Sequence, residues 1–343
     1  MISNAQLIVL FLSSFTLVAI LTPIMRRIAL KSNFLDRPNS HHKTHDEPIP
    51  YLGGVAIILG ICITIYAALF TQSNFRNEIW LATSILIPAL VLGVVGLIDD
   101  YLSLSAFTRF IFQTLAGIFT ASLLILSDSV GNPTNNSIFD VAITIIWIVG
   151  ITNSVNFFDN LDGGAVGALA VTSLGLFVIT HQNGQYLISA TSLTIFASML
   201  GFLIWNKSPA KIYMGDAGAL FLGTLISVLA IRLDPDVASQ TTSLLIPVLL
   251  FAVPILDTSV AVTSRIRRRV SIFQGGRDHL SHRLIRQGLS KKQAAVFLWC
   301  LSGVFVAFAT LLAISSSDLT PVLFLSGLLW LSLFAAFLKS ADC

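Results

Sequence analysis

Long runs of apolar residues, separated by short polar segments, make up most of this chain. An α-helix needs about 20 apolar residues to cross the ~30 Å hydrocarbon core of a bilayer, and the runs have about that length. The pattern therefore predicts an all-α, polytopic membrane protein with about eleven transmembrane helices. The predicted spans cover residues 5–25, 51–70, 79–98, 107–126, 138–152, 165–180, 186–205, 218–233, 243–262, 294–314 and 320–338.

Composition supports the same fold class. Only 11% of the residues are Asp, Glu, Lys or Arg and 55% are hydrophobic, whereas a soluble domain carries about 25% charged residues. This balance excludes an ordinary soluble enzyme, and the net charge of +3 gives no reason to expect a nucleic-acid partner. No internal repeat or linker divides the chain, so we expect one integral-membrane domain over residues 1–343, surrounded by membrane lipids.

The distribution of basic residues predicts which face of the protein lies inside the cell. Of the 20 Lys and Arg, all but Arg76 and Arg232 fall in alternate connections that share one face, and cytoplasmic loops carry such an excess. We therefore expect the amino terminus outside, the carboxyl terminus inside, and the first span retained rather than removed as a signal peptide. The predicted cytoplasmic loops are residues 26–50, 99–106, 153–164, 206–217 and 263–293.

Acidic residues collect in three of these cytoplasmic loops. Asp99 and Asp100 close the third span, Asp159 and Asp162 follow the fifth, and Asp216 precedes the eighth. Mg²⁺ takes oxygen ligands and usually shares them with substrate phosphates, so five carboxylates on one face favour a site for a hard cation. The alternative for the adjacent pair Asp99 and Asp100 is two helix-end charges solvated by water.

The sixth and eighth spans begin at this same face, and glycines stand at both starts, in Gly163-Gly164 and from Gly215 to Gly218. Free backbone N–H groups and the positive end of the helix dipole therefore point toward the carboxylates. Phosphate oxygens can bind at such a helix start while a metal ion links them to the aspartates. The alternative is that these glycines only cap the spans or allow close helix packing.

Histidines and charged residues alternate in the longest cytoplasmic loop, from Arg277 to Arg283. His279 and His282 in this run suit contact with a phosphate or a leaving group, and a structural role for each is the alternative. We interpret the preceding basic run from Arg265 to Arg269 as a topology signal, and a binding site is the alternative.

The order of these motifs resembles the polyprenyl-phosphate N-acetylhexosamine-1-phosphate transferases. The branch that primes cell-wall and surface glycans is more similar than the branch that transfers phospho-muramoyl-pentapeptide. The resemblance covers almost the whole chain, because weak motifs follow one another in the family's order. These motifs are Lys43-x-His45, Pro50-Tyr-Leu-Gly-Gly54, Gly96-Leu-Ile-Asp-Asp100, Asn153-x-x-Asn156-x-x-Asp159-x-x-Asp162-Gly163, Pro209-Ala-Lys-Ile-Tyr-Met-Gly-Asp216-x-Gly218, Pro254-Ile-Leu-Asp257-Thr258 and Arg277-Asp-His-Leu-Ser-His-Arg-Leu284.

The resemblance implies a reaction and its participants. An oxygen of a lipid phosphate attacks the β-phosphorus of a UDP-sugar, which releases UMP and leaves a lipid-diphosphate-sugar. The implied partners are polyprenyl phosphate and the UDP-sugar, and the implied cofactor is Mg²⁺, with Mn²⁺ as a substitute. The implied location is the bacterial inner membrane with the active site in the cytoplasm, and a homodimer is left open.

The resemblance also implies roles for individual residues. Asp216 is expected to bind Mg²⁺ together with Asp99 and Asp100, which also serve the lipid phosphate. The expected catalytic residues are Asp99, Asp100, Asp159, Asp162, His279 and His282. The expected substrate contacts are Lys43, His45, Asn153, Asn156, Asn206, Tyr213, Arg277 and Arg283, and the ring of Tyr213 suits stacking on uracil.

Three positions depart from the family pattern. Ser281 stands where a further His is usual, Asn160 where a Gly follows the first of the paired aspartates, and Gly164-Ala165-Val166 where Leu-Ala is usual. We expect activity, with a donor specificity that differs from the common pattern. One alternative is a secondary transporter, which would hold its carboxylates near the bilayer midplane on broken helices and often has repeated halves. Another is an inactive homologue that acts as a scaffold, if Ser281 is disabling.

Overall fold

The computed structural model describes residues 2–36, 48–71, 75–126, 136–237, 239–272, 276–315 and 320–340. Within these ranges the chain forms thirteen helices and one short antiparallel pair of strands. The helices are α1 (Asn4–Lys31), α2 (Gly53–Leu69), α3 (Phe75–Leu102), α4 (Ala106–Leu126), α5 (Ser137–Phe158), α6 (Gly164–Gln182), α7 (Tyr186–Asn206), α8 (Gly215–Ile231), α9 (Gln240–Leu250), α10 (Ala252–Arg267), α11 (Leu280–Arg286), α12 (Lys291–Ile314) and α13 (Thr320–Lys339), and the strands are β1 (Leu35–Asp36) and β2 (Ile49–Pro50).

The apolar runs fold into helices, which confirms the prediction of an all-α, polytopic membrane protein. Eight of the described helices are long and apolar enough to span a bilayer, and α9 with α10, which are bent by 73° at their break, are long and apolar enough when taken together. The shorter apolar helices α2 and α8 occupy the remaining two predicted runs. Each predicted span thus corresponds to one helix, except that the ninth is broken in two.

The break between α9 and α10 has a local cause in Pro254, which lies in the first turn of α10. Proline has no backbone N–H, so it cannot bond to the carbonyl four residues earlier. That carbonyl, on Leu250, instead accepts a hydrogen bond of 2.9 Å from Thr172 Oγ1 of α6. The broken span is therefore joined to a neighbouring helix by the carbonyl that proline leaves free.

Helix α8 lies at the centre of the bundle, since every residue from Ala217 to Ala230 is buried. It packs against α3, α5 and α2. Gly54 of α2 lies against Gly218, and Gly96 of α3 lies against the Asp216 carbonyl, so closely that a Cβ at either glycine would collide with backbone. The amino end of α8 is thereby held beside the carboxyl end of α3.

All five predicted cytoplasmic loops begin inside helices, and loops 99–106 and 153–164 show this for the polar clusters. Helix α3 continues to Leu102 and α5 continues to Phe158. An apolar run marks only the part of a helix inside the hydrocarbon core, whereas the helix continues as long as its polar side chains find partners within the protein. The polar residues Asp99, Asp100, Asn153 and Asn156 accordingly lie on the last turns of helices.

Candidate active site

The carboxyl end of α3 caps the amino end of α8. Asp100 Oδ1 accepts a hydrogen bond of 2.8 Å from Asp216 N, and Asp100 Oδ2 accepts one of 3.1 Å from Ala217 N. Gly215 makes the turn before α8 with a φ of +66° and lies against the Asp100 carboxylate. Asp100 therefore occupies the backbone donors that were expected to hold phosphate oxygens at this helix start.

Arg109 joins the carboxylates of Asp99 and Asp216. Its Nη1 lies 2.9 Å from Asp99 Oδ2 and 3.3 Å from Asp216 Oδ2. Asp99 Oδ1 also accepts a hydrogen bond of 2.6 Å from Leu104 N, and Asp216 Oδ1 accepts one of 2.7 Å from Asn156 Nδ2. Side chains of α3, α4, α5 and α8 thus meet around one pair of carboxylates.

Asp159 and Asp162, in the turn between α5 and α6, add negative charge to this region. In the part of the chain that the structure describes, the Asp159 carboxylate has no hydrogen-bond or ion-pair partner. Burial, together with the charges of Asp216 and Asp162, raises the pKa of Asp159 to about 7. Asp159 is therefore an acid that can accept or donate a proton near neutral pH. We call Asp99, Asp100, Asp159, Asp162 and Asp216 the acidic cluster.

The loop before α8 presents Tyr213 to the acidic cluster. Tyr213 N donates to Pro50 O at 2.9 Å, and the Tyr213 hydroxyl lies 3.4 Å from Asp162 Oδ1. Burial and the Asp162 charge raise the pKa of Tyr213, so its hydroxyl stays protonated and can donate. The Tyr213 ring lies 6.5 Å from that of Tyr51, and Tyr51 lies 5.8 Å from Phe34. These rings offer an aromatic surface on which a base can stack.

Asn206 and Asn153, both expected to contact substrate, have their amide nitrogens engaged within the protein. Asn206 is buried at the end of α7, where its Oδ1 accepts from Gly163 N at 3.0 Å and its Nδ2 donates to Ile212 O at 2.9 Å. Asn153 Nδ2 donates to Gln113 Oε1 at 2.6 Å. Asn206 thus ties the turn that carries Asp162 to the loop that carries Tyr213.

A second group of charged residues surrounds His279, where α11 meets α10. His279 Nδ1 lies 2.7 Å from Asp257 Oδ2, and His279 Nε2 lies 3.3 Å from Arg265 Nη2. Because a guanidinium group only donates, Nε2 accepts this bond and Nδ1–H donates to Asp257. Arg265 Nε also pairs with Asp278 Oδ2 at 3.1 Å. We call Asp257, Arg265, Asp278, His279 and His282 the histidine group.

His282 follows His279 by one turn, and the centroids of the two rings are 6.1 Å apart. Burial, with the positive charge of Arg277, lowers the pKa of His282 to about 4, so this side chain is neutral at pH 7. Arg277 is exposed. Lys43 and His45, which were also expected to contact substrate, lie outside the described residues.

Arg283 occupies a structural position instead of the expected substrate contact. Its side chain is 1% exposed, and it donates to Asp278 O at 2.8 Å, to Phe337 O at 2.7 Å and to Ser264 Oγ at 2.5 Å. These bonds join α11 to α10 and α13. A buried arginine with three partners in the protein holds the fold together.

Phe157 and Asn160 connect the acidic cluster with the histidine group. The Phe157 ring lies edge-on to His279, with centroids 6.1 Å apart, and the Arg265 guanidinium lies 5.4 Å from the Phe157 ring centroid. Three residues further on, Asn160 Oδ1 accepts a hydrogen bond from the Ser281 hydroxyl. The turn that carries Asp159 and the helix that carries His282 are therefore in direct contact.

An apolar groove with a volume of about 520 Å³ lies between α3 and α4. We call it the α3–α4 groove. Its lining consists of Leu90, Val91, Val94, Val95, Ile98, Leu104, Thr108 and Phe112.

Comparisons with known proteins assign this arrangement to a family. Residues 82–234 match the family model described as glycosyl transferase family 4. Over 339 residues the chain is 34% identical to the probable undecaprenyl-phosphate N-acetylglucosaminyl 1-phosphate transferase of Bacillus subtilis, covering 97% of this chain and 89% of the relative. The chain belongs to the polyprenyl-phosphate N-acetylhexosamine-1-phosphate transferase family. This confirms the resemblance seen in the motifs.

Other relatives of this transferase represent both branches of the family. The undecaprenyl-phosphate α-N-acetylglucosaminyl 1-phosphate transferase of Yersinia pestis is 27% identical over 86% of this chain and 80% of its own length. The phospho-N-acetylmuramoyl-pentapeptide-transferase of Halalkalibacterium halodurans is 29% identical over 92% of this chain and 99% of its own length. The match thus extends over nearly the whole transferase.

The acidic cluster of the transferase fits a divalent cation that is bound together with a substrate. Among the residues that the structure describes, no three acidic, His or Cys side chains form a complete metal site by themselves. The carboxylates of Asp99 and Asp216 nevertheless converge on Arg109, and the charge of Asp216 acts on Asp159, whose carboxylate has no partner among the described residues. Because Mg²⁺ usually takes one or two carboxylates and shares its remaining positions with phosphates and water, a diphosphate can complete such a site.

Proposed function

We propose that this transferase moves N-acetylglucosamine 1-phosphate, or a closely similar N-acetylhexosamine 1-phosphate, from its UDP derivative to polyprenyl phosphate. UMP is released, and the product is the first lipid-diphosphate-sugar of a cell-envelope glycan. The acidic cluster carries this proposal, because carboxylates from α3, from the turn after α5 and from α8 meet at one end of the bundle. The names of the relatives support the acceptor and the sugar.

We further propose that this end of the bundle faces the cytoplasm of a bacterial inner membrane and that Mg²⁺ is the cofactor. The excess of basic residues in the connections at this face supports the orientation. The carboxylates of Asp99 and Asp216 share the single guanidinium of Arg109, which leaves net negative charge at this contact. This charge supports the binding of a divalent cation. A UDP-sugar is water-soluble and a polyprenyl phosphate is bound to the membrane, so both can reach a site at this interface.

In the proposed reaction, an oxygen of the lipid phosphate forms a bond to the β-phosphorus of the UDP-sugar. The bond from that phosphorus to the bridging oxygen breaks, and UMP leaves with the electron pair. Mg²⁺ bound to Asp216 and Asp99 would supply neutralisation of the diphosphate charge. Such transfers depend mainly on positioning and on charge neutralisation, and the site supplies both.

The side chains around the diphosphate have distinct tasks. Arg109 holds Asp99 and Asp216 side by side. Asp159 can form a hydrogen bond to the lipid phosphate and so orient it, because the pKa of Asp159 is about 7 and its carboxyl group has no other partner in the described ranges. A phosphomonoester with a second pKa of about 6 is mostly ionised at pH 7, so we rank orientation above proton removal.

The direct test is a transfer assay with purified protein. We expect UMP and lipid-diphosphate-sugar in equal amounts from undecaprenyl phosphate, Mg²⁺ and one N-acetylated donor in a panel of UDP-sugars, and neither product with EDTA. Asp216→Asn should lower turnover roughly a hundredfold or more, because it removes a charge placed at the reacting diphosphate. Asp234→Asn, an exposed position beyond the opposite end of α8, is the matched control and should keep wild-type turnover.

Three outcomes would contradict the proposal. Unchanged turnover in Asp216→Asn would remove this residue from the reaction. Uptake of a labelled solute into vesicles, without release of UMP from any UDP-sugar, would support the transporter that the family assignment does not favour. A folded protein that makes no product from any donor would support the inactive homologue.

A further inference from the structure

We infer that Asn160 and Ser281 form a positioning contact that sets the acidic cluster relative to the histidine group. The inference rests on the proposed function, since it concerns how side chains of the two groups are brought to one substrate. The Ser281 hydroxyl donates a hydrogen bond to Asn160 Oδ1, although the two residues are 121 positions apart in sequence. Two departures from the family pattern are therefore in direct contact in the folded protein.

The side-chain amide of Asn160 has a partner for each of its two polar groups. Its Nδ2 donates to Phe157 O at 2.8 Å, while its Oδ1 accepts from Ser281. Phe157 lies in the last turn of α5, where backbone carbonyls have no partner within the helix. Asn160 thus closes the end of α5 with one group and binds α11 with the other. A shift of α11 would therefore displace the turn after α5.

The Ser281 hydroxyl depends on Asn160 for its hydrogen bond. Ser281 lies in the first turn of α11 and is 2% exposed. Among the residues that the structure describes, Asn160 is the only hydrogen-bond partner of this hydroxyl. A buried hydroxyl without a partner is unfavourable, so the fold favours the arrangement in which the two side chains meet.

Each residue of the pair stands beside an ionisable side chain that is available to a substrate. Asp159 immediately precedes Asn160, and His282 immediately follows Ser281. Within the described ranges, neither the Asp159 carboxylate nor the His282 ring forms a hydrogen bond to the protein. The contact thus joins two segments whose neighbouring side chains keep their hydrogen-bonding capacity for a ligand.

The far end of the turn after α5 is held by other contacts. Gly163 N donates to Asn206 Oδ1 at 3.0 Å, and Trp299 Nε1 of α12 donates to Gly163 O at 3.0 Å. Both bonds lie next to Asp162 and do not involve the start of the turn, which carries Asp159. Loss of the contact with α11 should therefore displace the start of the turn while the rest of the fold stays in place.

A double-mutant cycle tests the pair. Ser281→Ala and Asn160→Ala should each lower kcat roughly tenfold, because a small displacement of reacting groups slows a transfer that depends on positioning. The loss stays limited because the Phe157 ring still packs against His279. The KM for polyprenyl phosphate should stay within about twofold, and the double variant should be no worse than either single variant.

A paired exchange provides a second measurement. Ser281→His should be more damaging than Ser281→Ala, because the imidazole collides with the Asn160 side chain. Asn160→Gly removes that side chain, so adding it to Ser281→His should raise kcat again at least tenfold. Ser326→Ala is the matched control and should keep wild-type kcat, since it removes a buried hydroxyl that bonds within α13.

Three outcomes would overturn the inference. Wild-type kcat in Ser281→Ala would show that the contact has no part in positioning. Losses that simply add in the double variant would show that the two side chains act separately. If the alanine variants do not fold, the paired exchange decides, and failure of Asn160→Gly to rescue Ser281→His would also overturn the inference. Failure of the proposed function is a separate result, namely no transfer by the wild-type protein.

Discussion

Arg109 is the positive charge that allows the carboxylates of Asp99 and Asp216 to lie side by side. Without it, the two acids repel one another and their separation increases. We therefore expect Arg109→Gln to lower kcat roughly a hundredfold in the UMP-release assay. Arg27→Gln, an exposed arginine near the end of α1, removes the same charge elsewhere and should have no effect. Equal activities of the two variants would show that Arg109 serves only topology.

His282 makes stability depend on pH. Its pKa is lowered from 6.5 to about 4 in the folded protein, so the unfolded chain binds more protons between these values. Stability should therefore fall as pH decreases from about 6.5 to 4, by up to ~3 kcal/mol at ~1.4 kcal/mol per pH unit. His282→Asn, which cannot titrate, should show a smaller decrease of melting temperature between pH 7 and pH 5. The same decrease in both proteins would assign the effect to other groups.

At the scale of elements, Arg283 decides how α11 is attached. Its three hydrogen bonds reach α10, α13 and the residue before His279. Arg283→Met removes the donor to all three acceptors, and each buried acceptor left without a partner costs about 1–3 kcal/mol. We expect the melting temperature to fall by several degrees or more, whereas Arg286→Met, an exposed arginine of the same helix, should change it little. Equal melting temperatures would contradict the structural position of Arg283 and return it to the substrate contacts.

The apolar helices could be predicted from the sequence because each one contains a long apolar run. In the folded protein this run is either buried in the bundle or exposed to lipid. The break at Pro254 was missed, since hydropathy averages over it, although a proline inside an apolar run was a visible signal. Asp257 offered another signal, because a carboxylate inside a predicted span needs a partner. Its partner His279 is 22 residues away, and sequence alone does not show which residues α10 and α11 bring together.

The acidic cluster was predicted as a set, but not the task of each member. Asp100 reads as a candidate ligand in sequence, yet in three dimensions it caps α8. In the sequence Arg109 is only one of the basic residues that indicate topology, and its bridge between α3 and α8 depends on how α4 packs. Such contacts between distant segments follow from helix packing, which the spacing of residues along the chain does not encode.

At the scale of the whole molecule, the account requires the ends of α3, α5 and α7 and the starts of α6, α8 and α11 to face the cytoplasm. Fluorescent-protein and alkaline-phosphatase fusions at the carboxyl terminus test this orientation. We expect a fluorescent, phosphatase-inactive terminus, because the connections with most Lys and Arg stay inside. Active alkaline phosphatase there would place the acidic cluster outside, where no UDP-sugar is supplied by the cell.

The central claim is that carboxylates from separate helices bind one divalent ion together with the diphosphate. Titration of purified protein with Mn²⁺ in the presence of UDP-N-acetylglucosamine, followed by electron paramagnetic resonance, measures this binding directly, because Mn²⁺ prefers the same oxygen ligands as Mg²⁺. We predict one bound ion per chain in wild type and in Asp234→Asn, and loss of that ion in Asp216→Asn and in Asp99→Asn. Wild-type binding of Mn²⁺ in both of these last two variants would contradict the account.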